Sequence, residues 1–225
     1  MSIDQIESVV RIRFPLTGAI DVPLDHAEAL YGALSRICPY VHASAEVRIS
    51  PVKGMYTTQK RLVLADQGSF YIQATAYSIP HLLRLAGKSI RIGQNRLYIG
   101  IPTIHSLTPA SNLLARVVVV KGKQTEEEMH SYLRKEISTR FGAILQHEYN
   151  LHILRRRVLK LHGKLIYGFG VAITDICDDK LSLQIQAIPI GSRMKYGCSF
   201  FMPGEWTRSQ RDTDASLHVV DSIEA

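Results

Sequence analysis

The sequence predicts an α+β protein in which the element order β-α-β-β-α-β occurs twice in succession. Three observations carry that reading: an alternating apolar–basic run near the N-terminus, a helix-start signature followed by an apolar stripe in each half, and a strand pair after each of those helices. At 225 residues the chain has room for two small domains, and 46% hydrophobic with 21% charged residues is ordinary for a globular protein.

VVRIRF, from Val9 to Phe14, alternates apolar and basic residues, as a strand with one solvated face does. Asp25 with Glu28 three residues on reads as a capping box, and Ala27, Leu30, Tyr31, Leu34 and Cys38 follow at helical spacing until Pro39 stops the helix. Two strands are expected over 47–52 and 61–76, a short helix over 79–86 ending at Gly87, and a strand over 96–104.

The pattern then repeats. Residues 105–114 read as a linker, and ARVVVVKG reads as a buried strand. Thr125 with Glu128 opens a second helix carrying Met129, Tyr132, Leu133, Ile137 and Phe141, which ends at Gly142. Strands over 150–161 and 165–175 flank a turn at His162-Gly163-Lys164; a helix follows from Asp178-Asp179 to just before Pro189, and YGCSFFMP (196–203) reads as a final strand. Each half fits the split βαβ, or ferredoxin-like (RRM-like), plan. Domains are therefore expected at 1–106 and 115–203, followed by an acidic, flexible tail at 204–225.

Charge points to a polyanion. Lys and Arg number 27 against 20 Asp and Glu, giving +7 and a pI near 9.4. The tail holds two basic and five acidic residues, so the whole positive excess falls in residues 1–203. A basic body of this kind makes nucleic acid the first partner to consider, with solubility as the plainer use of the charge. Cys38, Cys177 and Cys198 form no CxxC pair, which implies neither a disulfide framework nor a zinc site and fits a reducing cytoplasm. No apolar run approaches membrane-spanning length, and no membrane partner is expected.

The densest basic stretch is NLHILRRRVLKLHGKLIYGFG (150–170), where Arg155, Arg156, Arg157, Lys160 and Lys164 occur without an acid. Packed on one surface of a strand pair, they would repel one another unless phosphates relieved them, which favours contact with an RNA or DNA backbone over a merely solvated face. Gly168 and Gly170 share the alternation parity of Ala172, leaving one side of the strand open to close approach by a protein segment or a nucleic-acid strand. In IGSRMKYGCSFF (190–201), Arg193 and Lys195 sit in a glycine-punctuated loop that can present them to phosphate.

There is no P-loop, GxSxG, HExxH or cluster of carboxylates at metal-ligand spacing. An enzyme built from this chain would work without metal or cofactor, through histidine, lysine, tyrosine or serine. RNA suits that chemistry: its 2′-hydroxyl is a nucleophile beside the phosphate, needing a base to take its proton and an acid or cation to assist the leaving 5′-oxygen.

The ordered set VPLDHAEALYGALS, PYVHA, PVKG, TPASNLLARVVVVKG, KLIYGFGV and GSRMKYGCSFF resembles the CRISPR repeat-processing endoribonucleases of type I systems, of the repeat-associated mysterious protein superfamily. Within them it is most similar to the subfamily of myxobacterial and cyanobacterial loci, over nearly the whole chain to about Pro203. The resemblance implies two ferredoxin-like domains and metal-independent cleavage of precursor CRISPR RNA within repeats by 2′-hydroxyl attack. It also implies 2′,3′-cyclic phosphate and 5′-hydroxyl ends, retention of the mature crRNA, and association with other subunits of a type I surveillance complex as monomer or dimer. It places the catalytic histidine in or just beyond the first helix, where His26 and His42 compete. His42, in PYVHA, is expected in the turn after Pro39 at the mouth of a cleft, with Lys53 delivered beside it to neutralise charge on the phosphorane; His26 opens the helix and has a structural alternative. Ser35 is placed to orient the scissile phosphate and Tyr31 in the core.

Two other readings remain open at this stage: a non-catalytic subunit that caps the repeat hairpin, and a backbone subunit of the same complexes. Cyclic-phosphate product formed from repeat RNA in EDTA separates the endoribonuclease from both.

Overall fold

The computed structural model describes residues 8–56, 60–64, 68–142 and 149–205. It is a mixed α+β fold of two compact units. The first contains residues up to Leu107 together with Leu159–Leu165 and Met194–Gly197; the second contains Thr108–Val158, Ile166–Arg193 and the chain from Cys198 onward. Of the acidic tail, residues 206–225 lie outside the described residues.

In the first unit, β1 (Val9–Thr17) pairs antiparallel with β6 (Ser69–Thr75) and with β9 (Thr103–Ser106). Beyond these, β3 (Arg48–Ile49) adds to β6, and the hairpin of β7 (Ser89–Ile92) and β8 (Asn95–Ile99) joins the end of β1. The alternation of VVRIRF turns Ile12, Phe14 and Leu16 into the core and Arg11 and Arg13 to the other face. Phe14 stacks on Phe70, its register partner, with ring centroids 5.1 Å apart. α1 (Ala27–Ile37) lays Leu30, Ala33 and Leu34 on that core, the stripe its spacing predicts. A small second sheet, β2 (Asp21–Pro23), β5 (Arg61–Val63) and β4 (Met55–Tyr56), is clamped by the Arg61–Asp21 ion pair, which holds the Asp21 carboxyl below its usual range.

Pro39 does more than stop α1. Cys38, the residue before it, is extended, as the proline ring requires, and Pro39 then opens a one-turn helix, α2 (Pro39–Ala43). His42 thus lies on a helical turn pinned by the buried Val41.

The second unit runs β10 (Leu113–Val118), α4 (Glu126–Phe141), β11 (Asn150–Leu161), β12 (Lys164–Thr174), α5 (Asp179–Ala187) and β13 (Met202–Pro203), with sheet order β11-β12-β10-β13. Here the capping box forms: Thr125 Oγ1 accepts from the Glu128 N–H at 3.2 Å, and Glu128 Oε2 accepts from the Thr125 N–H at 3.2 Å. Met129, Leu133 and Ile137 of α4 join Leu181 and Ile185 of α5 in the core with Phe169, Val171 and Ile173. The stripped side of β12 is filled by protein: a Cβ on Gly168 would lie 2.5 Å from the Val118 carbonyl oxygen, so β10 makes the close approach.

Several expected elements are corrected. At α1 the capping box does not form: His26 is the N-cap without a side-chain cap, because Asp25 and Glu28 accept hydrogen bonds from Lys160 and His162 instead. The strand over 61–76 is two strands, β5 and β6, and residues 65–67 lie outside the described residues. The helix over 79–86 is one α-turn, α3 (Ile79–Leu82), between 3-10 turns. The strand over 96–104 divides into β8 and β9, and β7 went unforeseen. The final strand shrinks to β13, since Gly197 and Ser199, inside the expected span, both have positive φ, which no continuous strand accommodates. Within β11 the basic run is split by strand alternation: Arg155 and Arg157 leave one face, while Arg156 leaves the other and lies 4.3 Å over the Tyr167 ring.

Candidate active site

Four short segments of the first unit bring polar side chains together: α1, α2, the His162–Gly163 turn and the 3-10 turn Met194–Tyr196. Glu28 and Tyr31 stand one helical turn apart on α1 and share a face. Tyr31 Oη lies 2.8 Å from His42 Nδ1, and the two rings stack with centroids 6.2 Å apart. His42 is exposed, and its Nε2 carries no hydrogen bond among the described residues. When Nδ1–H donates to Tyr31, Nε2 keeps its lone pair for an incoming proton, the tautomer a general base needs.

Lys195 reaches the same residue, its Nζ donating to the His42 carbonyl oxygen at 2.6 Å. Desolvation lowers its ammonium pKa from the ordinary lysine value. Tyr196 packs edge-on against Tyr31, centroids 4.8 Å apart, and its hydroxyl is 3.0 Å from His162 Nε2. On the far side of that imidazole, Glu28 Oε1 lies 3.0 Å from Nδ1 while Oε2 accepts the His162 backbone N–H at 3.0 Å. Gly197 permits this placement of the 3-10 turn: its φ is +78°, and a Cβ there would meet Pro51 at 3.0 Å.

Of the other foreseen residues, His26 and Ser35 have their side-chain polar atoms buried. His26 is 2% exposed with both nitrogens engaged: Nδ1–H donates to the Pro23 carbonyl and Nε2 accepts the Val52 N–H, each at 2.9 Å. It ties the start of α1 to the chain after β3. Ser35 turns its hydroxyl inward, where Oγ is buried without a hydrogen-bond partner among the described residues. Lys53 is anchored through its backbone, its N–H donating to the Ser69 carbonyl at 2.7 Å. Lys160 and Lys164, both exposed, flank the His162–Gly163 turn, and Arg193 is exposed in the second unit with φ of +66°.

Sequence reading missed Glu28, His162 and Tyr196 as site residues and placed Tyr31 in the core, where it is only half-buried. The local signal for His162 was its place at the tip of a predicted hairpin. Among the described residues no three His, Cys, Asp or Glu side chains gather as a metal-ligand set, and no helix is long and apolar enough to cross a membrane.

Within this α+β fold the first unit thus gathers histidine, tyrosine and lysine side chains in one hydrogen-bonded cluster. The family model described as Cas6 Crispr matches residues 10–205, and the chain belongs to the Cas6 family of CRISPR-associated endonucleases. It is 29% identical over 194 residues to the CRISPR-associated endonuclease Cas6 of Myxococcus xanthus, covering 86% of this chain and 81% of that protein. Among solved structures, an RAMP protein binding different RNA substrates superposes with a TM-score of 0.64 at 13% identity, over 85% of this chain and 98% of that one. A Cas6-related protein of Pyrococcus furiosus gives 0.59 at 13% identity, over 86% and 97%.

Proposed function

We propose that this chain is a metal-independent endoribonuclease that cuts precursor CRISPR RNA within its repeats and keeps hold of the mature crRNA. The observation that carries the proposal is the exposed His42, with Nδ1 held by Tyr31 and Lys195 bonded to its carbonyl. Family membership supplies the substrate class. The sheet orders of the two units support reading each as ferredoxin-like: in both, the strand after the first helix lies at one edge and the first strand lies inside.

In this reading His42 Nε2 takes the 2′-hydroxyl proton, the 2′-oxygen attacks the adjacent phosphorus, and the P–O5′ bond breaks. The products carry a 2′,3′-cyclic phosphate and a 5′-hydroxyl. Tyr31 accepts from Nδ1–H and so favours both the basic tautomer and the imidazolium that forms. Lys195 and Lys53 supply cations for charge developing on the phosphorane. Arg155, Arg156, Arg157, Lys160, Lys164 and Arg193 provide backbone contacts, which position RNA without reading its sequence. Other subunits of a type I surveillance complex are the expected protein partners.

The test is cleavage of labelled repeat RNA from the adjoining CRISPR array in EDTA, beside the same RNA with a 2′-deoxynucleotide 5′ of the cut. One cut in the first and none in the second is expected. Tight binding of both without product would replace this reading with a non-catalytic repeat-binding subunit.

A further inference from the structure

The Glu28–His162–Tyr196 chain is left unused by the chemistry assigned to His42. Its geometry is that of a carboxylate orienting an imidazole that in turn addresses a hydroxyl: 3.0 Å from Glu28 Oε1 to His162 Nδ1, then 3.0 Å from His162 Nε2 to Tyr196 Oη. The second Glu28 oxygen holds the His162 backbone N–H, so both the ring and the turn bearing it are fixed by one side chain. Tyr196 packs on Tyr31, the residue that holds His42, and its neighbour Lys195 bonds His42 directly. Three side chains from separate segments are therefore aligned beside the proposed base.

Resting on the endoribonuclease reading above, we propose that Tyr196 is the general acid of the reaction and that His162, oriented by Glu28, is the positioning residue that recharges it. With Glu28 taking Nδ1–H, neutral His162 offers Nε2 as an acceptor and ties up the Tyr196 proton. Protonated His162 instead donates Nε2–H to the Tyr196 oxygen, which frees the phenolic hydrogen to point at substrate. As the P–O5′ bond breaks, the leaving oxygen takes the Tyr196 proton and Tyr196 takes the His162 proton. Meanwhile the 2′-hydroxyl proton passes to His42, so one proton enters the protein and one leaves it. Solvent exchange between the two histidines restores the start.

The charged and titratable groups around His162 come from three segments. α1 presents Glu28, with Asp25 nearby on the Lys160 N–H; the 3-10 turn presents Tyr196; and the hairpin itself carries Lys160 and Lys164 on either side of the turn. In this cycle His42 starts neutral and His162 starts charged.

A leaving group that needs no proton tests this. Wild type and variants are assayed in single turnover on repeat RNA and on the same RNA with sulfur replacing the 5′-bridging oxygen at the cut mapped for wild type. Tyr196→Phe, which keeps the ring packed on Tyr31, and His162→Gln are expected to be slower on oxygen RNA by ~10²–10⁴-fold, the usual contribution of acid–base catalysis. On sulfur RNA both should come within a few-fold of wild type, while His42→Ala stays slow on both. Equal slowing on the two RNAs, or none on oxygen RNA, overturns the assignment while leaving the endoribonuclease reading intact. If wild type cuts neither RNA, that reading falls and the assignment falls with it.

Discussion

Tyr31 and His42 come from different helices, yet their side chains meet at 2.8 Å with rings 25° from parallel. They stand eleven positions apart in the sequence, and the break at Cys38-Pro39 is what folds α2 back so that they meet.

That contact separates binding from chemistry. His42→Ala should lower single-turnover cleavage of repeat RNA by ~10²–10⁴-fold, the range for losing a general base, with RNA affinity and melting temperature close to wild type because the side chain is exposed. Tyr31→Phe keeps the ring but drops the partner of Nδ1, so a smaller loss, about tenfold, is expected from the ~1.4 kcal/mol that one such bond is worth in the transition state. Wild-type rates for His42→Ala would remove it from the mechanism.

His26 should behave in the opposite way. Its two hydrogen bonds join Pro23 to Val52 through a buried ring, and His26→Ala leaves the Val52 N–H without that acceptor in the interior. The expected cost is ~2–4 kcal/mol of unfolding free energy, read by urea titration. Where the variant is folded, cleavage should persist. A stable but inactive His26→Ala protein would contradict the structural role.

Three features legible from neighbouring residues agree with the structure. The Thr125/Glu128 box, the alternation of β1 and the hairpin around His162 each depend on residues a few positions apart. The same local signature misled at Asp25 and Glu28, whose carboxylates are claimed by backbone groups 135 and 134 positions away. The site shares that character. Glu28, His162 and Tyr196 have no spacing to detect, because the chain must close two long loops before they meet. Lys195, expected only to present to phosphate, bonds the His42 carbonyl from 153 positions away.

The capping box of α4 predicts an acid-sensitive contribution to stability. The backbone N–H groups of Gln124 and Thr125 hold the Glu128 carboxyl below its ordinary value in the folded protein. A carboxyl lowered on folding stabilises fully above its unfolded pKa, and that contribution is lost as pH falls through the folded one. Glu128→Gln should therefore flatten stability against pH in the carboxylate range, measured by denaturant midpoints from pH 7 to pH 3. Thr125→Ala should cost ~1 kcal/mol at neutral pH, as loss of an N-cap does. An unchanged pH slope in Glu128→Gln would show that the box contributes nothing in solution.

Gly197 links backbone conformation to the site. At φ +78° an alanine sits in the left-handed region at a cost of roughly 1–2 kcal/mol, and its Cβ would press on Pro51 at 3.0 Å. The nearest way to relieve that contact is to shift the adjoining 3-10 turn, which carries Lys195 and Tyr196. Gly197→Ala should therefore lose cleavage beyond what its lowered stability explains, with kcat reduced at temperatures well below its melting transition and RNA affinity nearly retained. Gly168→Ala serves as the control: its Cβ would meet the Val118 carbonyl at 2.5 Å in the second unit, so it should lose stability as well, but without that excess loss of kcat in whatever fraction remains folded. Equal kcat in the folded fractions of both variants would show that the 3-10 turn absorbs the strain without moving Tyr196.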